Sequence, residues 1–102
     1  MSTDTDVVVK KKTEIKEPKK PGKFNVVLMN DDYTPMEFVV ALLVEVFRHD
    51  QKTAIELTMK VHQEGRAVAG TYTHEIAEQK ALDGTKLARH NNFPLVLKVE
   101  GE

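Results

Sequence analysis

A run of nine residues, Asn30, Asp31, Asp32, Tyr33, Thr34, Pro35, Met36, Glu37 and Phe38, limits what can be built on either side of it. It is a polar turn between two apolar stretches. Ahead of it, residues 24–29 set Phe24, Val26 and Leu28 against Asn25, Val27 and Met29, the two-residue alternation of a strand with at least one buried face. Behind it, Thr34, Pro35 and Glu37 have the spacing of a helix start: a hydroxyl at the cap, a proline where its missing N–H is harmless, and a carboxylate that can reach back to the cap. The spacing predicts a helix beginning at Pro35. Two carboxylates and an amide are thereby held where a strand ends and a helix begins. On residue types alone, Asp31 and Asp32 could equally serve the turn geometry and the helix dipole.

The rest of the chain reads as elements that support this turn. Residues 35 to about 49 are apolar nearly all round, with only Glu37, Ala41, Glu45 and Arg48 on one narrow stripe, which predicts a buried core helix between the sheet and other helices. Asp50 then caps a second helix that runs to Glu64 and stops at Gly65. Its core arc holds Ala54, Ile55, Leu57, Thr58, Met59, Val61 and His62, so a histidine sits in a mostly apolar arc. A satisfied core histidine is the plain alternative to a ligand-binding one. Residues 66–72 read as a strand with a possible bulge at Gly70. Thr73 caps a third helix, from residue 74 or 75 to about 89, with Ile76, Ala77, Ala81, Leu87 and Ala88 inward and Gly84 at a kink or a close contact. Residues 93–100 alternate Leu95, Leu97 and Val99 against Val96, Lys98 and Glu100, a strand with one wet face. The order strand, helix, helix, strand, helix, strand predicts an α+β fold in which a three-stranded antiparallel sheet is covered on one face by three helices.

Composition removes several classes of function. At 102 residues the chain has room for one modest core, which excludes a large multi-site enzyme. It contains no cysteine, so disulfides, zinc thiolate sites and thiol catalysis are absent, and a reducing cytoplasm is the expected compartment. No apolar run approaches the ~20 residues of a membrane span, and the first residues lack a signal-peptide core, so a soluble, unprocessed protein away from membranes is expected. The net charge of −1 conceals an asymmetry. Through Lys23, seven lysines face four acidic residues, a net +3; from Phe24 onward, eight basic residues face twelve acidic ones, a net −4. An acidic domain has no electrostatic footprint for phosphate backbones, so nucleic acid is not an expected partner. Residues 1–22, with three valines, a lysine triplet and a Pro-Lys-Lys-Pro-Gly ending, read as a disordered extension, leaving residues 23–102 as the folded domain.

The run NDDYTPMEFVV, followed by VHQEG, AGTYTHEIAEQK and FPLVL, resembles the ClpS family of protease adaptors over about residues 20–99. The resemblance implies the α+β architecture above, shared with a ribosomal stalk-protein domain. It implies an adaptor with no catalytic residues, cofactor or metal, which presents N-degron proteins beginning with Leu, Phe, Tyr or Trp to a Clp AAA+ unfoldase of the ClpA type working with ClpP. By position, Asn30, Asp31, Asp32, Thr34 and His62 match the residues that hold the α-amino group and first peptide unit. Met36, Val39, Val61 and Leu95 match pocket walls. Glu75, Glu78 and Lys80 match the surface that docks on the unfoldase N-terminal domain, and the extension matches an arm that takes part in delivery. At one pocket position, where many relatives carry methionine, this chain has Thr58, a shorter side chain whose hydroxyl needs a partner if buried. That difference implies a roomier pocket, less strict against β-branched residues.

The chemistry suits those roles. A protein N-terminus offers an ammonium, an extended backbone and one side chain, so its receptor needs acceptors beside an apolar hole. Two other functions compete. His74-Glu75-Ile76-Ala77-Glu78 approaches a metalloprotease helix motif, but that motif needs a second histidine where Glu78 stands. A stalk-like structural or recruitment module would use the same fold without a pocket for an N-terminus.

Overall fold

The structure, a computed structural model, describes residues 22–102. The expected disordered extension over residues 1–22 therefore lies, apart from Gly22, outside the described residues. Six elements follow in the expected order: β1 Phe24–Met29, α1 Met36–Glu45, α2 Gln51–Glu64, β2 Arg66–Tyr72, α3 His74–His90 and β3 Val96–Gly101. The strands form one antiparallel sheet in the order β2-β1-β3.

Register explains the alternation in β1. Leu28 pairs with Ala67 and Leu97, and Val26 with Gly70 and Val99, so one face of the sheet is apolar and its centre is fully buried. On the other face Val68 and Val96 stay exposed, and Arg66 Nη2 meets Glu100 Oε1 at 2.5 Å across the middle strand. Between Val26 and Val27 the pairing with β2 skips Ala69, a bulge adjoining the Gly70 where one was expected. His49 Nε2 lies 2.5 Å from the Ala69 carbonyl oxygen, which ties the α1–α2 connection to the bulge.

α2 and α3 lie on the sheet, and α1 packs on α2. In α3 the buried residues are Ala77, Ala81, Gly84 and Ala88, a stripe of small side chains that lets the helix approach the strands closely. A Cβ on Gly84 would come within 2.5 Å of Leu97 Cδ2, and the helix runs unbroken through it. Gly84 therefore marks a close contact with β3 and not a kink. Ile76, expected on the inner face, is exposed because it stands ~100° round the helix from Ala77.

Three expectations for α1 and α2 are corrected. α1 ends at Glu45, not near residue 49, because Arg48 adopts a left-handed conformation with φ 62° and turns the chain into the next helix. No glycine marks that turn in the sequence. Its end is instead held by tertiary bonds: Lys80 Nζ donates to the Val46 carbonyl at 2.8 Å. α1 is also less buried than its composition implies: Val39, Leu42 and Leu43 are buried and Ala41 is exposed on the expected stripe, but Met36 is exposed as well, since the helix lies on α2 rather than under it. In α2, Ala54, Thr58 and Val61 are buried while Ile55, Met59 and His62 are exposed. The expected arc was too wide for one line of contact.

The ends of α2 follow the sequence closely. Asp50 accepts a hydrogen bond from the Thr53 N–H at 2.8 Å, and Gly65 closes the helix at φ 90° with its N–H on the Val61 carbonyl. The Gly65 carbonyl then accepts from the Asn30 N–H at 2.9 Å, so the stop of α2 also fixes the residue that follows β1. An L side chain in that left-handed conformation costs roughly 1–2 kcal/mol. Gly65→Ala should lose about that much stability in urea unfolding, with the unfolding slope unchanged.

Candidate functional site

The end of β1, the start of α1 and the last turn of α2 meet at one place, and the loop between β1 and α1 is built by a single carboxylate. Asp31 Oδ1 accepts from the N–H groups of Tyr33 and Thr34, both at 2.8 Å. The Thr34 hydroxyl donates to Asp31 Oδ2 at 2.8 Å. This corrects the expected cap. Thr34 turns its hydroxyl toward the charged Asp31, Pro35 occupies the cap position, and α1 begins one residue late, at Met36, with the Phe38 and Val39 N–H groups on the Pro35 carbonyl. The hydroxyl thus donates a charge-assisted bond to the carboxylate instead of accepting from a helix N–H.

Burial pushes the Asp31 carboxyl up, but the Tyr33 and Thr34 N–H groups, the Thr34 hydroxyl and the nearby Arg89 charge together hold it below the ordinary carboxylate value. Asp31 is thus the organiser of the turn. Asn30, Asp32 and His62 are exposed, and among the described residues their side chains make no hydrogen bond.

These groups rim a cavity of about 320 Å³ lined by Asn30, Asp31, Asp32, Thr34, Pro35, Met36, Val39, Thr58, Val61 and His62. That volume is at the small end of ligand pockets, ~300–1,000 Å³, a size for one side chain and its backbone. The hole is polar at the turn and apolar between the helices. Val39, Thr58 and Val61 are almost fully buried walls, and Met36 is partly exposed at the mouth. The Thr58 hydroxyl donates to the Ala54 carbonyl at 2.8 Å, so its polarity is satisfied inside its own helix. His62 is exposed beside the cavity, not enclosed among core residues, although it lies on the arc that also carries Val61.

Two expected site residues stand elsewhere. Leu95, expected as a pocket wall, is 1% exposed within the core cluster and is not among the cavity's lining residues. Lys80, expected on an outer docking surface with Glu75 and Glu78, is half-buried: its ammonium bonds Val46 and lies 5.9 Å from the centre of the Tyr72 ring. Glu75 and Glu78 are exposed on α3, as expected, where His74 Nε2 lies 3.3 Å from Glu78 Oε2. Pro35 lines the cavity and was legible only as a helix signal.

Residues 19–98 match the family model of the ATP-dependent Clp protease adaptor protein ClpS. The chain belongs to the ClpS family. A ClpS relative from Vibrio cholerae is 43% identical over 100 residues, covering 98% of this chain and 92% of the relative. Another, from Sodalis glossinidius, is 46% identical over 80 residues, 78% of this chain and 76% of its own. The solved structure of Agrobacterium tumefaciens ClpS2 bound to L-phenylalaninamide superposes with a TM-score of 0.79 at 41% identity, covering 81% of this chain and all of that one. ClpS proteins are adaptors and not the protease itself. Among the described residues no cluster of three or more His, Cys, Asp or Glu is arranged to hold a metal ion, and no helix is long and apolar enough to cross a membrane.

In this chain the Asp31 carboxylate of the turn is engaged by the turn itself. Because the folded Asp31 is more acidic than in an unfolded chain, its stabilising effect is complete above the ordinary carboxylate range and disappears as pH falls through its lowered folded value. Thermal scans from pH 6 down to 2 should show part of the acid-side loss of stability vanish in Asp31→Asn, which holds no charge to lose.

Proposed function

We propose that this chain captures the first residue of proteins with a free N-terminus and delivers them, as N-degron substrates, to a Clp AAA+ unfoldase of the ClpA type working with ClpP. One observation carries the proposal: exposed acceptors and a one-side-chain apolar hole share a single cavity. An α-ammonium brings three donors and a positive charge, while an internal segment brings neither. Asn30, Asp32 and His62 offer acceptors to it. Asp31 and Thr34 hold those acceptors in place and add negative charge. Met36, Val39, Thr58 and Val61 receive the side chain, and burying a Leu or Phe there is worth ~1.5–3 kcal/mol. Leu, Phe, Tyr and Trp are the proposed first residues. L-phenylalaninamide, the ligand of the Agrobacterium relative, combines a free amine with such a side chain.

Delivery needs a second surface. The exposed face of α3 with Glu75 and Glu78 is the proposed contact with the unfoldase N-terminal domain, and Lys80 supports it from inside by fixing α3 to the end of α1. Residues 23–102 are the adaptor core, and residues 1–22 its extension. The absence of cysteine suits work in the cytoplasm.

Two measurements test the pocket. A peptide beginning with Phe should bind, and its N-acetylated form should bind at least about a hundredfold more weakly, since acetylation removes the charge and leaves the acceptors unmatched, a loss of ~2.7 kcal/mol. Equal binding of the two would leave only a recruitment module of the same fold. Across peptides beginning Leu, Phe, Tyr, Trp, Ile and Val, Thr58→Met should selectively weaken Ile and Val, because a longer side chain narrows the hole. An unchanged ranking would remove Thr58 as a determinant of selectivity.

A further inference from the structure

We propose that a second groove between α1 and α2 is a docking site for the chain's own residues 7–12. The groove has a volume of about 460 Å³ and shares no lining residue with the cavity. Val40, Val44 and Ile55 form its floor, with Ile55 46% exposed, and Glu37 and Glu45 stand two helical turns apart along its edge. An apolar trough with a carboxylate at either end asks for a short segment that is apolar and cationic together.

Residues 7–12 read Val-Val-Val-Lys-Lys-Lys. Three β-branched side chains match the floor and three ammonium groups match the rim. The sign of the charge agrees at larger scale too, since the first 23 residues carry +3 and the remainder −4. The depression on α3 has carboxylates at Glu75 and Glu78 but only Leu82 as a large apolar side chain, so it lacks the floor.

The tether is long enough and starts on the correct side. The arm joins the described residues at Gly22, just before β1. Phe24 at the start of β1 pairs with Tyr72, and the Tyr72 ring lies 6.5 Å from Phe47, just past the end of α1 where Val44 and Glu45 stand. Residues 13–21 extend to about 30 Å, enough to lay residues 7–12 along α1. A tether of that length also gives an effective concentration in the millimolar range, so a contact with a dissociation constant of that order is about half occupied. Docking holds the arm against the core, and a partner that grips the arm competes with it.

The full chain, which has no native cysteine, takes a single nitroxide label at Thr13→Cys for paramagnetic broadening of backbone amide signals. At low salt the signals of Ala41, Glu45, Gln51 and Ile55 should broaden selectively. They should sharpen at 1 M salt, where the screening length falls to ~3 Å. Broadening should also be lost in a Glu37→Lys, Glu45→Lys variant and in a Lys10→Glu, Lys11→Glu, Lys12→Glu variant. It should return when the two sets are combined, a recovery that misfolding of either variant cannot produce. Broadening that ignores the charge reversals, or that centres on α3 or the open face of the sheet, overturns the proposal. So does undiminished broadening when labelled chains are mixed with unlabelled, isotope-enriched ones, because the occupant is then a second copy.

Discussion

The Asp31 carboxylate accepts from two backbone N–H groups and a hydroxyl within three residues of itself, and through them it sets the angle at which the chain leaves the sheet and enters α1. The neighbouring acceptors depend on that geometry. Asn30 is placed from the other side by the Gly65 carbonyl, at the left-handed stop of α2, which also brings His62 one turn away. Two local motifs, each closed by its own hydrogen bonds, are therefore joined by a backbone bond that continues the β1–β2 pairing. A site assembled in this way is rigid where it meets a charge, and rigid acceptors are what let a small receptor separate a charged terminus from the neutral backbone around it.

The polar lip and the apolar hole have different supports. The lip rests on hydrogen bonds in the β1–α1 loop, whereas the hole is a gap in the packing of α1 on α2, walled by Val39, Thr58 and Val61. Thr58 shows how the two are kept apart: its hydroxyl is bound by the carbonyl one turn back, so the deep part of the hole is not polar despite containing a threonine. Charge recognition and size selection can then change separately, one through residues 30–34 and the other through a helix position such as 58.

Behind the site, close approach of backbone layers replaces bulk. Alanines and Gly84 on α3, with Ala67 and Ala69 on β2, bring helix and strand near enough for Leu28, Leu42, Leu43 and Leu95 to fill the centre. Lys80 and His49 complete the frame by reaching backbone carbonyls at the end of α1 and at the β2 bulge. Lys80 was expected on an outer surface. In the fold, Lys80 and His49 are joints between elements.

Much of this was legible in the order of residues, because local physics decided it. Alternation marked β1, Asp50 and Gly65 bounded α2, and the polar turn stood out between apolar flanks, since capping bonds and pleat periodicity act over a few residues. The convergence of Asn30, Asp32, Thr34, Met36, Val39, Thr58, Val61 and His62 on one cavity was accessible only through the likeness to ClpS proteins. Tertiary packing settled the rest. It ended α1 at a left-handed arginine, exposed Ile55, Ile76 and Met59, drew Leu95 into the core, turned Lys80 inward and gave the Thr34 hydroxyl to Asp31. In each case the deciding partner lies on another element or competes with the pattern used to read the helix, and a hydrogen bond or contact across the fold cannot be seen in a one-dimensional period.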